Sequence, residues 1–496
     1  MFHKEGLVYI LCSLQTDIPY MLRCVGCGIK QRGYCNIMSA SLASVKRKRI
    51  SDGSKSATSP RRKQSKVTLS SSEKPPEKIE WHARGKTSST PNTLLVGRYV
   101  PSDDSRDLDT SVTKKIKTKI AAFDFDSTII QTKHGKVFPT DAQDWKWWHP
   151  SVPAKLQKLH LEDEFLVAII SNQAGLSLKT DSDPKSKLSQ FKRKVSDIFK
   201  QLNIPIIIYA ATEKDFYRKP RTGIWTELLR DYGLEDSVER LSLEDSIFVG
   251  DAAGRQAYQN NLKDFSCCDR NFAENVGIRF ATPEEYFLGE KARPFVYPFR
   301  PSDYIHEFKS HNISPHQKDL LSDTSLAPQI YIKKNEVDIV LLCGSPGAGK
   351  SCWYLKNLKC LGYIRINQDT LKTRDKCIKV ASKNLEEGKS VAIDNTNANT
   401  EVRSEWVRLA ARYKIPIRCV YLTTSAEICV HNDAVRAFND VMNPENRKIL
   451  PNVAFNGYRK KFQCPELNEG FQDITEIPFQ FVGTAAEQNI WSRHWV

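Results

Sequence analysis

The eight residues Gly344-Ser345-Pro346-Gly347-Ala348-Gly349-Lys350-Ser351 carry the clearest chemistry in the chain. They follow an apolar run, Val337 to Cys343, that reads as a buried strand, and they precede Cys352 to Lys359, which opens a helix. Glycines let the backbone wrap tightly, so that consecutive N–H groups point at nucleotide phosphates. Lys350 is placed to reach the β- and γ-phosphates, and the Ser351 hydroxyl to sit on Mg²⁺. The loop therefore implies ATP and Mg²⁺ as cofactors. The alternative is a glycine-rich turn without a ligand. Strand, loop and helix all fall where the motif requires them, which argues against that alternative.

A second constellation lies more than 200 residues earlier. Ile120 to Phe125 reads as a buried strand running into Asp124-Phe125-Asp126-Ser127-Thr128. Asp-x-Asp-x-Thr at a strand end resembles the nucleophile motif of the haloacid-dehalogenase (HAD) phosphatases. In that resemblance Asp124 attacks phosphorus and forms an aspartyl-phosphate. Asp126 protonates the leaving alcohol and then activates water. Paired acids also attract Mg²⁺, which offsets the repulsion between carboxylate and phosphate.

The other stations follow in that family's order. Phe165 to Ile170 is a strand ending at Ser171, whose hydroxyl is expected to bind a phosphate oxygen. Ile204 to Ala210 is a third strand, followed by Tyr217-Arg218-Lys219-Pro220, with Lys219 neutralising nucleophile and phosphate. Ser246 to Val249 is a fourth, ending in Gly250-Asp251, and Asp251 is expected to complete a metal site with Asp124 and Asp126. Two departures stand out. The family favours Gly where this chain has Ser127, and Ser is expected to be tolerated because it is small. The family's second acid is replaced by Arg255 and Gln256, leaving Asp264 and Asp269 as alternatives. The stations leave room for no large cap domain, so an open cleft suited to a macromolecular phosphate is expected. Trp145, Trp147 and Trp148 either stack bases at that cleft or belong to the core.

Beyond residue 351 the chain alternates strands (Tyr363 to Ile366, Ser390 to Ile393, Ile417 to Leu422) with helices (371–387, 400–413, 425–438). Such alternation implies a parallel sheet, with ligands at the strand C-termini. Asp369 and Asp394 fall there. Asp369 is the candidate base for an attacking hydroxyl, or else an N-cap. Arg436 is a candidate lid arginine for the transferring phosphoryl, or else a surface residue.

The chain has 496 residues, with 74 Lys and Arg against 58 Asp and Glu, a net charge of +16. Half of the excess lies between Lys46 and Lys66. The clusters Lys46-Arg47-Lys48-Arg49 and Arg61-Arg62-Lys63, eleven residues apart, read as a bipartite nuclear import signal, a nucleic-acid tether or a solvated basic tail. Residues 39–118 are rich in Ser, Lys, Arg, Thr and Pro and are expected to be disordered. Residues 1–37 fit neither a secretory nor a mitochondrial leader well, and Met38 is an alternative start. Cys24-Val25-Gly26-Cys27 lacks the second pair that a zinc site needs. The thirteen cysteines are scattered without a framework, as in a reducing compartment. No apolar run is long enough to span a membrane.

Together these residues resemble the polynucleotide kinase 3′-phosphatase family, over roughly residues 119–496. The most specific parts are Lys119 to Ile130, Gly135 to Thr140, Tyr217 to Pro220, Phe248 to Arg255, 344–351 and Asp394 to Asn397. The resemblance implies an α/β fold with two parallel-sheet domains, a HAD-like phosphatase with minimal cap and a P-loop kinase, after a disordered basic N-terminal region. The expected boundaries are 1–118, 119–290, a linker at 291–335, and 336–496. The implied function is removal of 3′-phosphates from DNA ends and ATP-dependent phosphorylation of 5′-hydroxyls. The alternatives are an RNA-end enzyme or a catalytically dead repair scaffold. The expected partner is DNA bearing 3′-phosphate and 5′-hydroxyl ends. The expected state is a monomer in the nucleus, with a mitochondrial pool as the alternative. Vertebrate relatives begin with a forkhead-associated domain, and residues 1–118 lack the repeated strand pattern of such a sandwich. Recruitment by phosphorylated scaffolds is therefore not expected.

Overall fold

The structure, a computed structural model, describes residues 79–101, 118–180, 183–236, 238–259, 262–306 and 331–496. The basic clusters at 46–49 and 61–63, the Cys24/Cys27 pair and Met38 lie outside the described residues.

The first sheet is built from β1 (Glu80–Arg84), β2 (Leu94–Tyr99), β3 (Lys119–Phe123), β6 (Phe165–Asn172), β7 (Ile206–Ala211), β8 (Ile247–Val249) and β9 (Arg279–Ala281). Between β3 and β6 lie the short strands β4 (Ile130–Gln131) and β5 (Lys146–Trp147), which pair with each other, and helix α1 (Val152–Leu161). The order across the large sheet is β1-β2-β7-β6-β3-β8-β9. Pairing is parallel from β7 to β9. Strands buried on both faces read as continuous apolar runs, which is why β3, β6 and β7 were legible. Alternate residues of β3 feed two cores. Ala121 and Phe123 pack with α1 and α2 (Lys187–Leu202), whereas Ile120 and Ala122 pack with α3 (Gly223–Asp231) and α4 (Cys268–Val276).

Order begins before Lys119, contrary to the expectation that residues 1–118 are disordered. β2 pairs antiparallel with β7, and β1 pairs with β2 outside it. The Ser- and Lys-rich surroundings conceal the run Leu94-Leu95-Val96, which is buried. Trp81 lies against Gly97, where any Cβ would meet its ring, and also packs on Phe191. The tryptophan cluster is core. Trp145 is buried and meets Trp147 edge-on at 5.4 Å, and Trp148 packs on Phe287. Among the described residues, the β4–β5 hairpin is the only sheet structure inserted between the β3 and β6 stations, as the minimal-cap expectation required.

The second sheet contains β10 (Ile339–Cys343), β11 (Ile364–Ile366), β12 (Val391–Asp394), β13 (Ile417–Leu422) and β14 (Ile474–Ile477), in the order β11-β12-β10-β13-β14 and parallel throughout. A short α5 (Asp303–His306) precedes it. The helices are α6 (Lys350–Asn357), α7 (Gln368–Leu371), α8 (Arg374–Glu386), α9 (Thr400–Tyr413), α10 (Ala426–Phe438), α11 (Asn452–Lys461) and α12 (Ala485–Trp491). α8 and α9 cover one face and α6 the other. Side-chain caps start several of these helices where the sequence supplies Asn or Ser, including Asn367, Asn399 and Ser425.

A further core joins α5, α10 and α12 around Trp491 and Trp495. His431 is buried in it, with its Nε2 2.8 Å from the Trp491 carbonyl. Burial pulls its pKa down to about 4. The unfolded chain therefore takes up this proton more readily, and stability is lost as pH falls from the ordinary imidazole value toward 4. His431→Gln keeps a donor for the carbonyl but cannot titrate. The loss of stability between pH 7 and pH 5, read by thermal or urea melting, is expected to be about 2 kcal/mol smaller in His431→Gln than in the parent.

Candidate active sites

The first site forms where β3, β6, β7 and β8 end. The Asp124 N–H donates to the Val249 carbonyl, which registers the nucleophile strand against β8. Lys219 reaches across from the loop after β7. Its Nζ lies 2.7 Å from Asp124 Oδ1 and 2.8 Å from Asp269 Oδ1, and it is almost fully buried. The Lys219 backbone is pinned by one side chain: its N–H donates to Asn172 Oδ1, and Asn172 Nδ2 donates to its carbonyl. Carboxylate oxygens of Asp124, Asp251 and Asp269 all lie within 4.8 Å of one another.

Burial and mutual repulsion set the electrostatics. Asp124 is pushed up to about 7 by burial, by Asp269 and by Asp126, against the pull of Lys219. Asp251 rises to about 8 through burial, with Asp124 and Asp269 adding repulsion. Burial disfavours the Lys219 ammonium, but Asp124 and Asp269 outweigh it and hold the lysine firmly protonated. Three carboxylates facing one ammonium leave negative charge uncompensated. A hard divalent cation fits that charge and those oxygen donors.

Of the two alternatives for the second acid, the structure brings Asp269, at the start of α4, to Asp124 and Asp251, and its Oδ2 accepts from the Ala252 N–H. Gly250 is glycine because a Cβ there would collide with the Asp269 carboxylate. The Asp126 carboxylate turns elsewhere. It accepts from Gln173 Nε2 at 2.6 Å and lies 3.4 Å from Lys194 Nζ. The same Gln173 amide donates to Ser171 Oγ, so Ser171 and Asp126 share one donor. Asp126 stays half-exposed and close enough to raise Asp124, which suits proton transfer better than metal ligation. Asp264 is consumed by Arg255 at 2.8 Å.

Three residues escaped the sequence reading. Asn172 and Gln173 stood unused in the Ser171-Asn172-Gln173 triplet. Lys194 lies on the apolar face of α2, among Phe191, Val195 and Ile198, and a lysine at helical spacing inside an apolar stripe was the signal. Ser127 also needs another account. It has φ +61°, so the family's glycine reflects a left-handed backbone rather than a need for smallness.

The second site is the loop from Gly344 to Ser351 between β10 and α6. Gly347 has φ +76°, and a Cβ on it would overlap the Cys429 carbonyl, so no other residue fits. Lys350 Nζ donates to the carbonyls of Gly344 and Ser345 at 2.9 and 2.8 Å. Burial pulls its pKa down to about 8, and Asp394 works against that. Ser351 Oγ donates to Asp394 Oδ2 at 2.8 Å. Arg365 closes the group, with Nη2 2.7 Å from Ser351 Oγ and 2.6 Å from Asp394 Oδ2. A loop hydroxyl bonded to a strand-end aspartate is the donor pair that holds nucleotide-bound Mg²⁺ in such sites. Asp394 thus joins the expected set, and Arg365 is new to it.

Asp369 sits within the first turn of α7. The N-cap is Asn367, whose side chain accepts from Thr370, so the alternative reading of Asp369 as a cap is overturned. Its side chain is 78% exposed and lies 3.6 Å from Arg447 Nη1. It is close enough for its charge to be felt by Lys350. Arg436 is on α10, tied to Asp433 at 2.7 Å, and its charge reaches Cys352 in α6.

Each sheet thus ends in a site built for phosphorus chemistry, which defines a protein with two phosphoryl-transfer centres. The comparisons agree. Residues 119–287 match the family described as "Polynucleotide kinase 3 phosphatase", and residues 372–465 match "AAA domain". A Schizosaccharomyces pombe protein named "Bifunctional polynucleotide phosphatase/kinase" is 40% identical over 368 residues, 74% of this chain and 81% of that protein. "Polynucleotide 3'-phosphatase ZDP" of Arabidopsis thaliana is 31% identical over 36% of this chain and 25% of its own length. "Polynucleotide 3'-phosphatase" of Saccharomyces cerevisiae is 27% identical over 34% of this chain and 87% of its own. The chain belongs to the bifunctional polynucleotide phosphatase/kinase family.

The revised triad is testable. Asp269→Asn removes one anionic oxygen donor and one partner of Lys219. It is expected to raise the Mg²⁺ concentration for half-maximal phosphatase activity by about tenfold or more, with the Mg²⁺ dependence of the kinase unchanged. The corresponding shift in Asp126→Asn should be small beside its loss of turnover.

Proposed function

We propose that the protein prepares broken DNA ends for ligation, hydrolysing 3′-phosphates at the first site and phosphorylating 5′-hydroxyls with ATP at the second. The observation that supports this most is the Asp124–Lys219–Asp269 cluster standing in the same chain as a phosphate loop with its own serine–aspartate pair.

At the first site the Asp124 carboxylate attacks phosphorus while the P–O bond to the 3′-oxygen breaks. Asp126 gives that oxygen a proton. The aspartyl-phosphate is then attacked by water, whose proton passes to Asp126, releasing phosphate and restoring Asp124. Lys219 neutralises the nucleophile and the incoming phosphate oxygens, and the buried Ser171 hydroxyl offers a donor to one of them. Asp124, Asp251 and Asp269 would hold Mg²⁺, which when bound would supply Lewis-acid stabilisation of the transferring group.

At the second site Lys350 exchanges its bonds to two loop carbonyls for the β- and γ-phosphates. Asp369 accepts the proton of the attacking 5′-hydroxyl, for which its exposed carboxylate is suited. Arg436 is a candidate for stabilising the phosphoryl in flight. Mg²⁺ on the nucleotide belongs with Ser351 and Asp394.

DNA as substrate, the nucleus as location and a monomeric state are part of the same reading. The positive excess of the chain supports a polyanionic substrate. Neutralising Lys46–Arg49 and Arg61–Lys63 should reduce nuclear accumulation and spare catalysis on short oligonucleotides. Activity on DNA should fall with added salt as bound lysines and arginines release counterions. Hydrolysis of a small aryl phosphate should respond much less. Equal salt dependence would argue against an electrostatic DNA groove, and parallel assays on RNA ends would reveal sugar preference.

The decisive test uses two full-length variants and a nicked duplex with 3′-phosphate and 5′-hydroxyl ends. Asp124→Asn keeps the shape but removes the attacking charge, and should abolish dephosphorylation while sparing the kinase. Lys350→Ala should cost the kinase about a thousandfold or more and leave the phosphatase near the parent rate. A folded variant that loses both activities would refute separate sites.

A further inference from the structure

The stretch Trp491–Trp495, which begins with the last residue of α12, is linked to both active-site loops through two asparagines, although it belongs to neither loop. Asn275, near the C-terminal end of α4, uses its whole carboxamide. Its Nδ2 donates to the Pro220 carbonyl at 2.9 Å and to the His494 carbonyl at 2.7 Å. Its Oδ1 accepts from the His494 N–H at 2.8 Å. Pro220 directly follows Lys219, whose Nζ bridges Asp124 and Asp269. Asp269 itself lies near the start of the same α4. One short helix therefore carries a triad carboxylate at one end and a clasp on the C-terminal segment at the other.

Further contacts secure the clasp. His494 is buried, stacks on Tyr297 and lies 3.4 Å from Glu274. Arg221, next after Pro220, is buried with its guanidinium 4.0 Å from the centre of the Phe438 ring at the end of α10. The Lys219 loop is thus held from outside the first sheet at two points.

The same segment reaches the phosphate loop. Trp491 Nε1 donates to Asn432 Oδ1 at 2.7 Å, and Asn432 Nδ2 donates to the Gly347 carbonyl at 2.9 Å. A continuous path runs from Gly347 through Asn432, Trp491 and His494 to Asn275 and Pro220. Its links are hydrogen bonds and the four-residue stretch Trp491–His494.

We propose that the C-terminal segment Trp491–Trp495 is a positioning element shared by both sites, setting the Lys219 loop through Asn275 and the phosphate loop through Asn432. Lys219 has to hold two carboxylates at hydrogen-bond distance, and displacements of the order of 1 Å at such groups cost turnover steeply. The phosphatase therefore depends on residues that pack in the kinase half of the chain. The coupling acts through placement, and none of Asn275, Trp491 and His494 is assigned contact with substrate.

The test uses full-length protein with three changes: Asn275→Ala, Trp491→Phe and deletion of residues 493–496. Phosphatase and kinase constants are measured on each, beside melting temperature. Asn275→Ala is expected to lower phosphatase kcat about tenfold with KM for a 3′-phosphate oligonucleotide unchanged and kinase constants within about twofold. Trp491→Phe keeps the packing but removes the donor to Asn432. It is expected to raise KM for ATP severalfold and leave the phosphatase alone. The deletion should reproduce the Asn275→Ala phosphatase defect. A merely structural role would lower both activities together with the melting temperature, and that result overturns the proposal. So does an Asn275→Ala kcat within twofold of the parent. Where the shortened chain does not melt cooperatively, Asn275→Ala alone decides.

Discussion

A buried ammonium between two buried carboxylates is the constraint that organises the first half of the molecule. Lys219 and Asp269 are nearly inaccessible and Asp124 is scarcely less so. Removing one partner from such a pair leaves an uncompensated charge, at a cost on the order of 3–5 kcal/mol. The surrounding structure is arranged to make that cluster tolerable. Asn172 fixes the lysine backbone, Ala252 donates to Asp269, and glycine at 250 makes room for a carboxylate where a side chain would stand. The strand order supplies the rest, since β3 lies between β6 and β8 and brings three strand ends together. Burial first, and then repulsion from the neighbouring carboxylates, keeps Asp124 and Asp251 far above ordinary aspartates. The site is therefore poised to gain from a cation, and the same imbalance makes it a poor place for a second anion until one is bound.

What the sequence disclosed followed from how local each signal was. The phosphate loop is contiguous, and its chemistry is stated by eight neighbouring residues. The strand-end stations were visible because doubly buried strands are apolar along their length. Asp269 was harder, because it lies eighteen residues beyond Asp251 and in the first turn of a helix. No spacing rule fixes such a position, and only the approach of α4 to Gly250 does. Arg365 was invisible for a similar reason. It lies on a strand between Ile364 and Ile366, and its role exists only because β11 lies beside β12. β1 and β2 were lost to averaging, because a six-residue strand inside a long polar stretch does not change its composition.

Asp126 lies apart from Asp124 although only one residue separates them. Alternation along a strand would put residues two apart on one face. The strand ends at Phe123, and the backbone at Ser127 has already turned left-handed. Strand geometry therefore no longer governs Asp126. Its side chain goes to Gln173 and Lys194 instead. The two acids are separated in environment as well as direction, one buried and one half-exposed. That separation lets adjacent carboxylates serve as nucleophile and proton carrier, since identical surroundings would give them the same proton affinity.

The two active-site lysines show how similar residues are set to opposite tasks. Both are buried, and burial alone disfavours the ammonium form of each. Lys219 faces two carboxylates directly, and they more than restore its charge. Lys350 faces two neutral carbonyls, with Asp394 acting from further away, so burial prevails and its pKa falls to about 8. The first lysine is a fixed counter-charge whose partners are always present. The second is held on groups that a polyphosphate can displace, and the arrival of anionic oxygens would complete its protonation. Arg365 plays the matching part for Asp394, compensating it at 2.6 Å while also touching Ser351. The kinase loop is thus satisfied internally at rest, with each polar bond made to a group that the nucleotide and its cation can replace. The phosphatase cluster has no such internal substitute for its missing positive charge. The difference follows from the partners each fold supplies: buried carboxylates around the lysine in one sheet, and backbone carbonyls with a nearby guanidinium in the other.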